Sequence, residues 1–169
     1  MAATYQVFPF VPAGAVAYAR AWAQARNPQY GDFSDMGGDC SNFISQTLVA
    51  GGAVMNETRG VGWYYHSMND RAPAWTGVPF LWRFLATNKG RGPFGHEILP
   101  EEARPGDIIQ LKFAHMPDFS HSLLVQKAGT PPTPENIRVA AHSIDADERP
   151  LRTYSYVAAR VMRIDGVRK

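Results

Sequence analysis

The sequence predicts an α+β domain in which N-terminal helices pack on an antiparallel β-sheet. Apolar residues of the first half recur at helical spacing, whereas the second half carries strand-like runs, and the two do not alternate strictly. With 169 residues, of which 45% are hydrophobic and 19% charged, the chain can bury one proper core. Neither an internal repeat nor a change of composition marks a linker, so we expect a single domain over residues 1–169.

The first predicted helix covers residues 13–26. Asn27 and Pro28 end it, and a turn-rich stretch follows as far as Gly38. The apolar positions that define its buried face are Ala15, Val16, Ala19, Trp22 and Ala23.

The second predicted helix begins at Cys40, the only cysteine, and runs to about Ala50. Gly51 and Gly52 supply the C-terminal stop. Its apolar face consists of Phe43, Ile44, Thr47 and Leu48.

The middle of the chain is expected to be mostly loop. Residues 53–76 are rich in aromatic residues and turn formers and show no clean period. Residues 78–88 fit a short helix, and the glycine-rich residues 89–95 follow as loop. The side chains expected to point inward from the short helix are Phe80, Leu81, Phe84 and Leu85.

The second half predicts the strands of the sheet. Residues 104–113 form a turn into a first strand, and residues 121–128 and 137–144 form two more. Between these two, residues 129–136 contain three prolines, which suits a surface loop. Residues 151–164 are expected to form one or two further strands.

The charge distribution argues against a nucleic-acid partner. The formal net charge is only +2, and the basic residues are scattered instead of forming a stripe. No apolar run approaches the roughly 18 to 20 residues of a membrane helix, so no membrane partner is expected. The first residues lack a signal-peptide pattern, which predicts a cytoplasmic protein as given, or a secreted one if a signal was trimmed. Nothing in the sequence indicates an oligomeric state.

Cys40 is the candidate nucleophile because of its place at a helix start. The free N–H groups and the positive end of the helix dipole stabilise an anion there, and the thiolate is the reactive form of cysteine. The same amides can donate to the oxyanion that forms when a carbonyl is attacked. Asp39 is the expected N-cap, although its charge opposes a thiolate. The alternative is a buried structural cysteine; the polar neighbours Asp39, Ser41 and Asn42 favour the nucleophile.

Five histidines are candidates for the base that a nucleophilic cysteine needs. His66, His96 and His115 lie in expected loops. His121 begins a strand, where the sheet fixes its ring and a cleft can reach it. His142 falls on the next strand, where it can accept a hydrogen bond from His121 and hold that ring. The alternative is that both are ordinary histidines of the sheet.

Other catalytic chemistries have weaker support. No H-x-x-x-H or C-x-x-C spacing occurs and carboxylates do not cluster near His121 or His142, so no metal site and no cofactor are expected. No G-x-S-x-G motif marks a serine nucleophile.

The segment "NPQYGDFSDMGGDCSNFISQTLVAGG", residues 27–52, resembles the signature of the Putative amidase domain family. Members of that family carry a D-C-[ST]-N-F-[VI]-S-Q core ahead of a glycine pair, within the NlpC/P60 and wider papain-like superfamily. The first helix, the middle aromatic stretch and the strands beginning "GDIIQL" and "HSLLV" are also similar to the family. The resemblance covers nearly the whole chain.

The resemblance implies a papain-like, NlpC/P60-like α+β fold with Cys40 as nucleophile, His121 as general base and His142 as the third polar residue. It also implies that Tyr30 borders the oxyanion site. This chain has Ser-Asn after the cysteine where NlpC/P60 enzymes have Ser-Gly, so their cell-wall dipeptide specificity does not transfer. The residues expected to contact substrate are Tyr30, Asp39, Ser41, Trp63 and Tyr64.

Three functions remain open from the sequence. The first is a cysteine amidase that hydrolyses a peptide-type amide through a thioester, on a cell-wall peptide or on an intracellular amide. The second is an acyltransferase or cross-linking enzyme that passes the same thioester to an amine. The third is an inactive module that binds peptides through its aromatic residues, namely Trp63, Tyr64, Tyr65, Trp75 and Trp82.

Overall fold

The computed structural model describes residues 2–169, which form a mixed α+β fold around an antiparallel sheet. The seven-stranded sheet has the order β1-β9-β5-β6-β7-β8, and β4 also pairs with β9. Its strands are β1 Val7–Phe8, β4 Gly92–Ile98, β5 Ile108–Phe113, β6 Phe119–Lys127, β7 Arg138–Ala141, β8 Ala146–Pro150 and β9 Tyr156–Arg168. A two-stranded sheet pairs β2 Tyr65–Ser67 with β3 Asp70–Arg71.

Four α-helices precede β4 in the chain: α1 Pro12–Trp22, α2 Cys40–Ala50, α3 Pro73–Thr76 and α4 Val78–Thr87. Pro12 opens α1, where the missing N–H would have no helical partner. The helix ends at Trp22, four residues short of the predicted end at Arg26. The predicted bounds of α2 are confirmed at both ends, with Gly51 at the C-cap position.

The core lies on both faces of the sheet. On one face, Phe43, Ile44 and Leu48 of α2 pack with sheet residues such as Leu124 and with α1, α3 and α4. On the other face a separate cluster includes Leu111, Leu123 and Val125 of the sheet, with Leu151 from a short 3-10 turn. The first of these two faces is called the helix face below, and the second the far face.

Strand β6 divides its side chains between these faces. Ser122 lies opposite Gln110 and His121 lies opposite Leu111, and directly opposed residues of an antiparallel pair share a face. Ser122 hydrogen-bonds Ser41 of α2 and so lies on the helix face. His121 therefore lies on the far face, together with Leu123 and Val125, as strand alternation requires.

Several predicted loops were wrong. Residues 89–95 contain most of β4, which pairs with β9 from Gly92 to Ile98, and residues 53–76 contain β2, β3 and α3. Strand β8 follows the predicted third strand directly. These strands form because they pair with strands that are distant in the chain, and the local sequence does not indicate that pairing. Phe80 was expected to point inward, yet it is 48% exposed.

In residues 2–169, no helix combines the length and the apolar character that crossing a membrane requires.

Candidate functional site

Cys40 is the first residue of α2, and its side chain is almost completely covered, with 8% exposed. Burial is the largest influence on the thiol and raises its pKa. The backbone amide of Ser122, together with the hydroxyl and amide of Ser41, acts in the opposite direction because these groups stabilise a thiolate. The charge of Asp39 adds to the effect of burial. In this structure the thiol is therefore protonated at neutral pH and rests against the start of α2 and the backbone of β6.

Asp39 occupies the N-cap position of α2, but its side chain does not cap the helix. Its Oδ1 accepts hydrogen bonds from the Phe33 amide and from Nδ2 of Asn42, each at 2.8 Å. Its Oδ2 lies 2.7 Å from Nδ1 of His142. The carboxylate therefore ties the preceding loop and the end of β7 to the start of α2.

His142 directly follows β7 and is 1% exposed. Its Nδ1 lies 2.7 Å from Oδ2 of Asp39, and its Nε2 lies 2.7 Å from the carbonyl oxygen of Trp22 and 3.2 Å from Nη1 of Arg26. The ring stacks on Phe43 with 4.0 Å between ring centroids. The expected hydrogen bond from His121 to His142 is therefore wrong: both nitrogens of His142 are engaged elsewhere, and His121 lies on the far face.

His121 is the third residue of β6 and lies near the aromatic rings of Phe113 and Tyr154, with ring centroids 6.5 Å and 5.7 Å away. Burial lowers the pKa of its imidazole to about 4, and the nearby charge of Arg149 acts in the same direction. The imidazole is therefore neutral at pH 7. No side chain in residues 2–169 forms a hydrogen bond with its ring.

The Cys40 thiol lies beside the backbone of β6 next to His121, but the thiol and the imidazole do not meet. The thiol touches the amide of Ser122, which directly follows His121. The imidazole points away on the far face, and the described residues contain no hydrogen bond between thiol and imidazole. The catalytic pairing of the thiol and the imidazole stays a prediction, because the two groups are not in contact in this structure.

His121 lines a cavity of about 530 Å³ on the far face, whose other lining residues include Ser120, Arg149 and Tyr154. Cys40 is not among the residues that line it. A second cavity, of about 590 Å³, lies against α4 and the loop around Gly60. It shares no lining residue with the first cavity.

The aromatic residues predicted to contact substrate are part of the core. Trp63 is fully buried, and its Nε1 donates to Oγ of Ser45 at 2.9 Å. Tyr64 is 7% exposed. The prediction that Trp63 and Tyr64 form a substrate surface is wrong for this structure, because buried side chains cannot line a groove. Tyr30 is partly buried and stacks on Trp75 with 5.8 Å between ring centroids.

Ser41 and Asp39, the remaining predicted substrate contacts, are both buried. Oγ of Ser41 lies 3.1 Å from Oγ of Ser122, which links α2 to β6. In residues 2–169, no three His, Cys, Asp or Glu side chains are grouped as metal ligands would be.

Sequence reasoning missed the Asp39–His142 contact and the grouping of Arg149 with Tyr154 and His121. Asp39 and His142 are 103 positions apart, and nothing in the local sequence of either indicates the other. Arg149 lies in β8, a strand that was not predicted. The signal available was only that Arg149 and Tyr154 flank a turn close to a predicted strand.

Residues 11–164 match the family described as "Putative amidase domain", and the chain belongs to that family. The name of that family refers to amidase activity.

One relative is "Uncharacterized protein YhbB" of Bacillus subtilis (strain 168). It is 35% identical over 122 residues, which cover 71% of this chain and 38% of that protein. The chain thus spans well under half the length of this relative. No solved structure matches the chain.

Proposed function

We propose that this domain is a cysteine-dependent amidase that hydrolyses a peptide-type amide, with Cys40 as nucleophile and His121 as general base. One observation carries the proposal: the lone thiol lies at the start of α2 among the amides of Ser41 and Ser122, which favour a negative charge. The D-C-S-N-F-I-S-Q segment at this position, followed later by a strand that begins near His121, also supports a papain-like fold of the NlpC/P60 type.

The proposed reaction has two stages. The imidazole of His121 removes the thiol proton, and the thiolate attacks the carbonyl carbon while backbone amides stabilise the oxyanion. The C–N bond then breaks, and the imidazolium gives its proton to the leaving amine. Water, deprotonated by the same imidazole, attacks the thioester, which releases the carboxylic acid and restores the thiol.

This chemistry requires His121 to reach the helix face. The ring has no hydrogen bond to hold it, and it lies at the start of β6, next to an irregularity in the pairing with β5 between Leu111 and Lys112. Irregular pairing of this kind allows the first residues of a strand to change direction at lower cost than its regular part. We propose that substrate binding accompanies such a change.

The experiment is a hydrolysis screen with the full chain against small peptide amides and cell-wall peptides. Cys40→Ser should abolish turnover, and His121→Ala should reduce kcat about 100-fold or more, the usual contribution of a general base. His96→Ala is the matched control, since His96 is exposed and lines neither cavity, and it should keep activity. Full activity of the Cys40→Ser variant would overturn the proposal.

A catalytically inactive binding module is the second candidate, and the separation of Cys40 and His121 onto opposite faces favours it. In that case Cys40→Ala and the parent chain bind peptide ligands equally well, and neither turns them over. Isothermal titration with the peptides of the hydrolysis screen distinguishes the two candidates.

A further inference from the structure

The cavity on the far face has the size of a small-molecule site. Its volume of about 530 Å³ falls within the range of about 300 to 1,000 Å³ that is common for ligand pockets. Phe113, Met116 and Ile144 contribute apolar lining, and Met116 and Ile144 are 38% and 83% exposed. Exposed apolar side chains beside a cavity indicate a place where the apolar part of a ligand can be covered.

Arg149 gives this cavity a cation that no carboxylate neutralises. Its Nε and Nη2 donate to Oγ1 and the carbonyl oxygen of Thr153, at 2.7 Å and 3.1 Å. Its Nη1 makes no hydrogen bond to the described residues, and no salt bridge joins Arg149 to an acidic side chain there. None of the residues lining the cavity is Asp or Glu. The guanidinium therefore keeps donor capacity for an anion.

Tyr154 brings a second unused polar group to the same cavity. Its hydroxyl is buried and has no hydrogen-bond partner. The Arg149 guanidinium lies over the face of the Tyr154 ring, 3.7 Å from its centroid. Buried hydroxyl groups in folded proteins generally have partners, which makes an unpartnered one in a cavity a place to expect a ligand.

His121 supplies the third polar group. Because its burial keeps the imidazole neutral at pH 7, the ring offers one N–H donor and one acceptor, and neither is used within the described residues. Its ring centroid lies 5.7 Å from that of Tyr154. A guanidinium, a phenol hydroxyl and an imidazole thus line one acid-free cavity with unused hydrogen-bonding capacity.

We propose that this cavity binds the carboxylate of a small, partly apolar ligand, with Arg149 as the main anchor, Tyr154 as a further donor, and His121 as a donor while its ring lies on the far face. A guanidinium matches the planar carboxylate, and one cation balances one negative charge. The apolar part of the ligand lies against Phe113 and Met116. The inference rests on the proposed function in one respect: the ligand is then the acidic part of the amide substrate, or the acid that hydrolysis releases.

The test measures binding to the full chain carrying Cys40→Ala, so that no turnover interferes. The probes are N-acetyl-L-leucine, its uncharged relative N-acetyl-L-leucinamide, and inorganic phosphate, each followed by ligand-observed NMR titration. The acid should bind about tenfold more tightly than the amide, since only the acid can pair with the guanidinium. Equal affinity for acid and amide would overturn the proposal, and tighter binding of phosphate would overturn the choice of a carboxylate.

Variants locate the site. In the Cys40→Ala background, Arg149→Ala should weaken binding of the acid about tenfold or more, and Tyr154→Phe should weaken it by a smaller factor. Arg152→Ala is the matched control, because Arg152 is exposed nearby but does not line the cavity, and it should leave affinity unchanged. Circular dichroism of each variant checks folding. If Arg149→Ala misfolds, Tyr154→Phe decides: unchanged affinity in this variant would overturn the proposal.

The two proposals fail in distinguishable ways. If amides are hydrolysed without preference for a substrate carboxylate and the acid does not bind, the carboxylate-site proposal is overturned. The amidase proposal then stands. If the acid binds tightly but no hydrolysis depends on Cys40, the carboxylate-site proposal stands and the amidase proposal is overturned.

Discussion

The carboxylate of Asp39 and the imidazole of His142 form a buried pair, with 2.7 Å between Oδ2 and Nδ1. Asp39 directly precedes Cys40, and His142 directly follows β7, so this contact fixes the start of α2 against the sheet. The side chains are 1% exposed in both cases. The pair therefore holds the candidate nucleophile in place through the backbone and does not touch the candidate base.

Breaking this pair should destabilise the protein strongly. His142→Ala removes the closest contact of Oδ2 of the buried Asp39 carboxylate and leaves Nε of Arg26 3.6 Å from it. Removal of one member of a buried pair commonly costs about 3 to 5 kcal/mol, and the remaining Arg26 contact places the expected loss at the lower end. The measurement is the urea midpoint of unfolding, followed by circular dichroism.

An exposed pair provides the control. His96 and Asp165 are also close, at 2.8 Å, but the side chain of His96 is 56% exposed. His96→Ala should therefore cost no more than about 1 kcal/mol. Equal losses for the two histidine variants would mean that the Asp39–His142 pair contributes no more than a surface contact.

His121 should make stability depend on pH. Its pKa is lowered to about 4 in the folded protein from 6.5, so between these values the unfolded chain binds the proton and the folded one does not. Stability therefore rises with pH across this window, and acidification from pH 7 to pH 4 should remove about 3 kcal/mol through this group. Unfolding free energies of the parent and of His121→Gln, measured at several pH values, give the difference.

The same titration needs a control histidine. Asp70 and Glu57 raise the pKa of His66 above 6.5, so the contribution of this histidine changes only above that value, and His66→Gln should keep the slope of the parent between pH 4 and pH 6.5. If the unfolding free energies of the parent and of His121→Gln change with pH in parallel, the pKa of the His121 imidazole is not lowered by burial.

The thiol of Cys40 should react slowly in the resting protein. It is 8% exposed, and burial raises its pKa, so both access and thiolate fraction are low. Iodoacetamide at pH 8 should alkylate the folded protein about tenfold or more slowly than the urea-unfolded chain. His121→Ala should leave the folded rate unchanged because the two side chains do not meet; a marked drop would place the imidazole beside the thiol in solution.

Trp63 should behave as a core residue. Trp63→Phe removes the donor to Oγ of Ser45 and some packing volume, with an expected loss of about 1 to 3 kcal/mol in unfolding free energy. Binding of the peptide and N-acetyl-leucine probes should be unchanged. Loss of binding without loss of stability would instead support a role for Trp63 at a ligand surface.

The long periodic elements could be predicted from the sequence. The apolar spacing after Cys40 and the glycines at positions 51 and 52 gave α2 its correct bounds. The run beginning at His121 was predicted as a strand and lies within β6. Strands β4 and β8 were missed because distant partners stabilise them more than their own sequences do.

The sequence by itself determined the change from helices in the first half to strands in the second, the helix that starts at the only cysteine, and the family to which the chain belongs. The tertiary structure decided which face of the sheet receives α2, and with it that Ser122, instead of His121, meets the start of that helix. Strand alternation fixes which side chains share a face but not what packs on that face, because packing depends on surfaces far apart in the chain. For the same reason only the fold could bring Asp39 to His142 and gather Arg149, Tyr154 and His121 around one cavity.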